Sequence, residues 1–176
     1  MQTKNFLDTL DHDRIVKAIQ DAEARSRGEV RVHVSRQAVE DAQPNTSSEA
    51  AVQPHTTPVA ALQPNTTPVA AVQTAAARQF EALGMTRTAE RNGVLLFVAP
   101  ASQTFAVIGD QGIHARCGPD FWKDVAAAME TDFRAGRYTD GIVKGVARAG
   151  EALATHFPRQ EGTPDTNELS DEVTED

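Results

Sequence analysis

The chain has 176 residues, of which 40% are apolar, 24% charged and only 5% aromatic, with a formal net charge of -8. Its one cysteine, Cys117, excludes an internal disulfide framework and a multi-cysteine zinc site. No apolar run reaches the roughly 18 residues of a membrane-spanning helix, and the start, Met1 to Asp8, lacks the apolar stretch of a secretory signal, so a cytoplasmic protein is expected.

Asp11 to Ala24 puts Ile15, Ala18, Ile19 and Ala22 on one helical face, and Gly28 follows as a stop signal. Glu29-Val30-Arg31-Val32-His33-Val34 alternates as a half-covered strand does. From Gln43 to Gln73 runs a ten-residue repeat with five prolines, no Lys or Arg and no aromatic residue. Such a segment buries little apolar area, so 38–73 is expected to be a disordered Gln/Pro/Thr/Ala insertion. The fold is expected to tolerate it because long surface loops add little closure entropy. A role in docking a partner is the alternative.

Ala76, Phe80 and Leu83 then form a helical stripe closed by Gly84. Gly93-Val94-Leu95-Leu96-Phe97-Val98-Ala99 is a continuous apolar run, as expected of a central strand covered on both faces. Pro100 to Gln103 reads as a turn, and Thr104 to Ile108 as the returning antiparallel strand, ending in the loop Gly109-Asp110-Gln111-Gly112. Pro119 and Asp120 suit a helix start. Phe121, Val125, Ala128, Met129 and Phe133 make that helix's stripe, and Gly136 closes it. Thr139 is the expected cap of a last helix carrying Ile142, Val143, Val146, Leu153 and Phe157, which Pro158 stops. The tail from Gln160 holds seven acids and no base; without it, 18 acids face 17 bases. Acidity is thus a tail property, 159–176 is expected to be disordered, and nucleic acid is not an expected partner.

This order predicts one domain over 4–158, an α/β, Rossmann-like three-layer α/β/α sandwich on a small mixed sheet. The first two strands are expected to run parallel, with the hairpin adding an antiparallel one.

Chemistry-bearing motifs are mostly missing. The chain has no G-x-x-x-x-G-K phosphate loop and no G-x-S-x-G elbow. Cys117 is followed six positions on by Lys123, not Arg, which breaks the cysteine-phosphatase pattern. Asp11-His12-Asp13 reads as helix capping, and His114 with Cys117 is short of the ligands a zinc site needs. What remains is a cluster at one end of the hairpin. Glu90, Asn92 and Asp110 can bring oxygens together around one hard cation, calcium or magnesium, while Asn92-Gly93 and Gly109-Asp110 are equally turn chemistry. Arg87 and Arg91 lie where they can clamp a phosphate; Gln111, His114, Asp120, Trp122 and Asp140 are the expected border of the same cleft. Trp122, off its helix's main stripe, is expected either as an exposed anchor or as a boundary residue whose indole reaches water.

Several segments, in order, resemble one family. Gly28-Glu29-Val30-Arg31-Val32 looks like its first strand. Ala77 to Phe80 with Leu83-Gly84-Met85, then Arg91-Asn92-Gly93-Val94-Leu95-Leu96, look like its second helix and central strand. Phe105 to Ile113 looks like its third strand and glycine loop, and Asp132-Phe133-Arg134-Ala135-Gly136-Arg137-Tyr138-Thr139-Asp140-Gly141 like its last inter-helix junction. Together they are similar to the TPM domain, found in thylakoid-lumen proteins linked to photosystem II repair, a nematode receptor modulator and many bacterial proteins. The resemblance covers about 110 residues. It implies an α/β/α sandwich, divalent-cation binding in some members and acid phosphatase activity in plant ones. This chain departs from it in two places. Many members have Asp-Asn-Gly where Arg91-Asn92-Gly93 stands, and Gly-Tyr-Gly where Gly109-Asp110-Gln111-Gly112 stands. Many members are also exported or membrane-anchored.

The expectation is therefore a cation-binding, regulatory TPM-type module with a protein partner and no membrane span, a monomer in preference to an oligomer. The alternatives are a metal-assisted acid phosphatase, in which Asp110 or Glu90 acts as ligand or base, and a metal-free interaction domain. No catalytic residue is assigned, because no nucleophile has an evident activating partner.

Overall fold

A computed structural model describes residues 3–39, 55–58, 69–160, 162 and 172–175. In chain order the elements are α1 (Thr3–Thr9), α2 (His12–Glu23), β1 (Val30–Val34), β2 (His55–Pro58), α3 (Val69–Ala82), β3 (Val94–Ala99), β4 (Thr104–Gly109), α4 (Gln111–Cys117), α5 (Pro119–Arg134), α6 (Tyr138–His156) and β5 (Thr174–Glu175). The sheet runs in the order β2-β4-β3-β1-β5. β1 and β3 are parallel, in register Val30 to Val94, and β3 and β4 are antiparallel, with Val94 opposite Gly109. This mixed α/β sheet is the one the sequence predicts.

Side-chain alternation divides the interior into two cores. Val30, Val32 and Val34 of β1, Val94, Leu96 and Val98 of β3, and Phe105 and Val107 of β4 face a large core shared with α2, α5 and α6. Leu95, Phe97, Ala99, Ala106 and Ile108 face a smaller core under α3. α6 packs close to α5 through a small residue: a Cβ on Gly145 would press on the Met129 side chain and Leu96.

β1 departs from the half-covered strand that its alternation suggests. All five of its residues are buried. Arg31 and His33 lie on the α3 face and not in water; the His33 ring stacks on Phe97, with 5.6 Å between centroids. Period-two polarity marks the two faces of a strand but does not say which is wet. The stripe of α5 is also shifted. Its buried residues are Trp122, Val125, Ala126, Met129, Asp132 and Phe133, with Phe121 and Ala128 only partly covered.

Thr139 does not cap α6. The helix begins at Tyr138, and the Thr139 hydroxyl instead accepts the Asp11 backbone N–H at 3.1 Å. Within 38–73, His55–Pro58 pairs antiparallel with β4 and Val69–Gln73 opens α3, while within the acidic tail Thr174–Glu175 pairs with β1. The rest of both segments lies outside the described residues. No helix among the described residues is long and apolar enough to cross a membrane.

Candidate functional site

The register that sets Val94 against Gly109 brings the approach to β3 beside the exit from β4. Asp110 caps α4 there: its Oδ1 accepts the Gln111 N–H at 2.7 Å. Its carboxylate is 1% exposed. Arg91, held in the left-handed region at φ 52, turns its side chain onto that carboxylate. Arg91 Nε donates to Asp110 Oδ2 at 2.7 Å and Nη2 donates to Oδ1 at 2.9 Å, a planar two-pronged pairing. The hydrogen bonds it donates to Asp110 raise the Arg91 guanidinium above its ordinary value, with partial burial opposing and charge attraction assisting.

The backbone closes the same corner. The Arg91 carbonyl accepts the N–H of Gly112 at 2.8 Å and of Ile113 at 3.3 Å. Gly112 has to be glycine for this approach, since a Cβ would run into the Glu90 and Arg91 carbonyl oxygens. The free N–H groups that open a helix ordinarily attract anions. In α4 those of Gln111, Gly112 and Ile113 are already donated within the protein.

The other expected ligands turn elsewhere. Asn92, 1% exposed, donates its amide to the Arg27 carbonyl at 3.0 Å. Glu90 is exposed and pairs with Arg27 at 3.1 Å. Among the described residues, no group of three or more His, Cys, Asp or Glu side chains is arranged to hold a metal ion. As placed, Glu90, Asn92 and Asp110 do not fit a divalent cation: the one buried carboxylate already carries a guanidinium on both oxygens.

The expected cleft is only partly assembled. Gln111 and His114 lie at the corner, and His114 Nδ1 accepts the Trp122 indole N–H at 3.1 Å, which leaves the ring proton on Nε2. Trp122 is neither an anchor nor a boundary residue; it is 0% exposed, and a Cβ on Gly109 would collide with its ring. Asp120 is exposed and pairs with Lys123 at 3.2 Å, while Arg87 is exposed at the end of a short 3-10 turn, Met85–Arg87. Asp140 sits at the start of α6, paired with Arg14 at 2.9 Å. Its helix runs about 24 Å from there to His156, and it is His156, at the far end, whose carbonyl takes the Arg116 guanidinium beside α4.

Residues 1–152 match the TPM domain family. The chain belongs to that family. It is similar to the NMR structure of the BA42 protein from the psychrophilic bacterium Bizionia argentinensis, with 30% identity, 96% of each chain covered and a TM-score of 0.71. No curated protein matches.

Sequence reasoning missed two features of this TPM domain. The first is Arg91 as internal counter-ion; its signal was the basic residue standing directly before Asn92-Gly93. The second lies at the α5–α6 turn, where Asp132, 3% exposed, accepts from Arg137 Nη2 at 2.6 Å and from Lys144. A depression of about 260 Å³ lies elsewhere, lined in part by Arg116, Cys117, Phe121, Arg148 and His156. Arg116 is already engaged there, with the His156 carbonyl and over the Phe157 ring.

Proposed function

We propose that this TPM domain is a protein-binding module that works without a metal, its site corner held by the Arg91 guanidinium in place of a cation. One observation carries the reading: both oxygens of the buried Asp110 accept from Arg91. A divalent cation at Asp110 would meet that positive charge before it met the carboxylate. The same corner weighs against metal-assisted phosphoryl transfer. The α4 N–H groups that would receive a phosphoryl oxygen are donated to Asp110 and to the Arg91 carbonyl, and Arg91 is not free to clamp a phosphate. The Thr174 hydroxyl does reach an imidazole, His33 Nδ1 at 2.9 Å, but at the other end of the strands from this corner.

The test is an amide NMR titration of chelator-stripped protein with calcium, magnesium and zinc, run on the native chain and on Arg91→Asp. Aspartate tolerates the left-handed backbone at this position. The expected result is no saturable shift at Asn92, Gly93, Asp110 or Gly112 in the native chain, and a saturable calcium shift there in Arg91→Asp. Phosphomonoester hydrolysis is expected at the blank rate in both. Saturable shifts in the native chain would return the protein to the cation-binding reading, and hydrolysis abolished by Asp110→Ala would return it to the phosphatase one.

A further inference from the structure

β1 would be an edge strand of the sheet without β5, and what lies against it is the chain's own C-terminal segment. His33 pairs in register with Thr174 and Val34 with Glu175, in parallel. Three side chains read the segment as a sequence. Val173 packs on the large core. The Thr174 hydroxyl meets His33 Nδ1 at 2.9 Å on the opposite face, where Gln79 also approaches that ring nitrogen at 3.4 Å. Glu175 pairs with Arg36.

This is the geometry of strand addition: backbone pairing supplies the docking, and alternate side chains supply the selection. The match is chemically specific, with an apolar residue facing the core, a hydroxyl at the imidazole and an acid at the guanidinium. It is also slight. The ladder is two residues long, and the Arg36 side chain that pairs with Glu175 is 59% exposed, so salt and competitors weaken the pair. The chain has 14 residues between Pro158, which bridges to Ser26, and Val173. A chain of that length reaches at most about 50 Å, about three times the length of β1, so its length lets the segment leave β1 while still tethered.

From this we infer that the outer edge of β1 is a docking edge for an extended protein segment of the pattern apolar, hydroxyl, acid, and that Val173-Thr174-Glu175 occupies it as an internal, displaceable ligand. The partner is an acidic peptide strand of another protein, aligned parallel to β1. The inference deepens the binding-module reading by naming a surface and a partner chemistry. It does not depend on the Arg91–Asp110 pair, which lies at the other end of the strands.

The test uses the full chain and a full-chain variant carrying Val173→Asp and Glu175→Lys, which unseats the internal segment. The probe is an N-acetylated peptide of residues 170–176, Ser-Asp-Glu-Val-Thr-Glu-Asp. The expected amide spectrum of the variant differs from the native one at Arg31 to Arg36 and at Gln79. Millimolar peptide is expected to move those signals back, saturably. The native chain should bind the same peptide more weakly, by about twofold or more, because its own segment competes at the roughly millimolar effective concentration of a tether. A peptide with Lys at the position of Glu175 should lose most of the effect. Native and variant spectra that coincide along β1, or equal peptide response in both chains, would overturn the inference. Cation titration reads a different set of amides, so failure here and failure of the metal-free reading are separately visible.

Discussion

Two buried aspartates in this fold are both held by guanidinium groups, yet they do different jobs. Asp110 sits at the corner where β4 gives way to α4, has one basic partner, Arg91, and also caps a helix. Asp132 sits in the last turn of α5, with two basic partners, Arg137 and Lys144, and caps nothing with its side chain. Its backbone carbonyl takes the N–H of Ala135 and of Arg137, so the carboxylate and the carbonyl together fold the chain back into α6. A buried carboxylate is costly unless its charge is matched and its lone pairs are used. Both sites meet that condition. The difference lies in what surrounds them. Around Asp132 the cations are half exposed and return to water easily; Asp110 also carries a backbone N–H, that of Gln111.

Replacement should therefore cost more at the corner. Asp110→Ala strips Arg91 of its partner and leaves the Gln111 N–H uncapped, which amounts to about 2–3 kcal/mol. Urea unfolding is the measurement, and a loss under about 1 kcal/mol would show that the pair is ornamental. Asp132→Ala should give the smaller fall in Tm of the two, because Arg137 and Lys144, with side chains 52% and 45% exposed, regain water when the carboxylate goes. A larger fall at Asp132 would reverse the ranking and make the α5–α6 turn the more dependent of the two places.

The contrast also bears on what a sequence can disclose. The sandwich was legible because its elements carry their periods openly, whereas its division into two cores was not: the length of the foldable body suggests one. The apolar run of β3 demands cover on both faces, and Pro158 stops α6. Helices α1 and α4 were not legible. Each has seven residues, too short for a period to repeat. Gly109-Asp110-Gln111-Gly112 reads as a loop by composition, although Asp110 is a cap and Gly112 is a close-approach residue at the start of a helix. At the site, hairpin register was enough to place Asn92 and Asp110 at one end of the sheet. What was illegible was the direction of the Arg91 side chain, which depends on a positive φ that a non-glycine residue does not advertise. The cation was written in the sequence, as an arginine next to the asparagine. Trp122 failed for a related reason: the space it fills exists only because Gly109 has no side chain.

Acid should sharpen the comparison at Asp132. The hydrogen bonds from Lys144 and then Arg137 hold its carboxyl below the ordinary value of 3.8. A depressed folded value means that the unfolded chain takes up the proton first. The stabilisation is then complete above about pH 4 and is lost as pH falls through the folded value. Stability measured from pH 6 down to pH 2 should fall more steeply in the native chain than in Asp132→Asn, with the two curves converging at the acid end. Parallel curves throughout would mean that the two cations do not distinguish the charged from the neutral carboxyl.

The smallest effect belongs to Cys117, which has burial without a cation. It lies half-covered at the end of α4, and burial alone pushes its thiol above the ordinary value of 9.0, toward the neutral form. Asp132 shows the opposite case: with Lys144 and Arg137 against it, the charged form is favoured. An unanswered thiol is a poor nucleophile, since the thiolate is the reacting species. Alkylation by iodoacetamide at pH 7 should therefore be slower than for a small thiol in solution and should accelerate only on the alkaline side of pH 9. Cys117→Ser should leave the unfolding midpoint within about 0.5 kcal/mol of native. Fast alkylation at neutral pH would place a positive charge beside the sulfur, and Arg116 and Arg148, which line the same depression, would be the residues to substitute next.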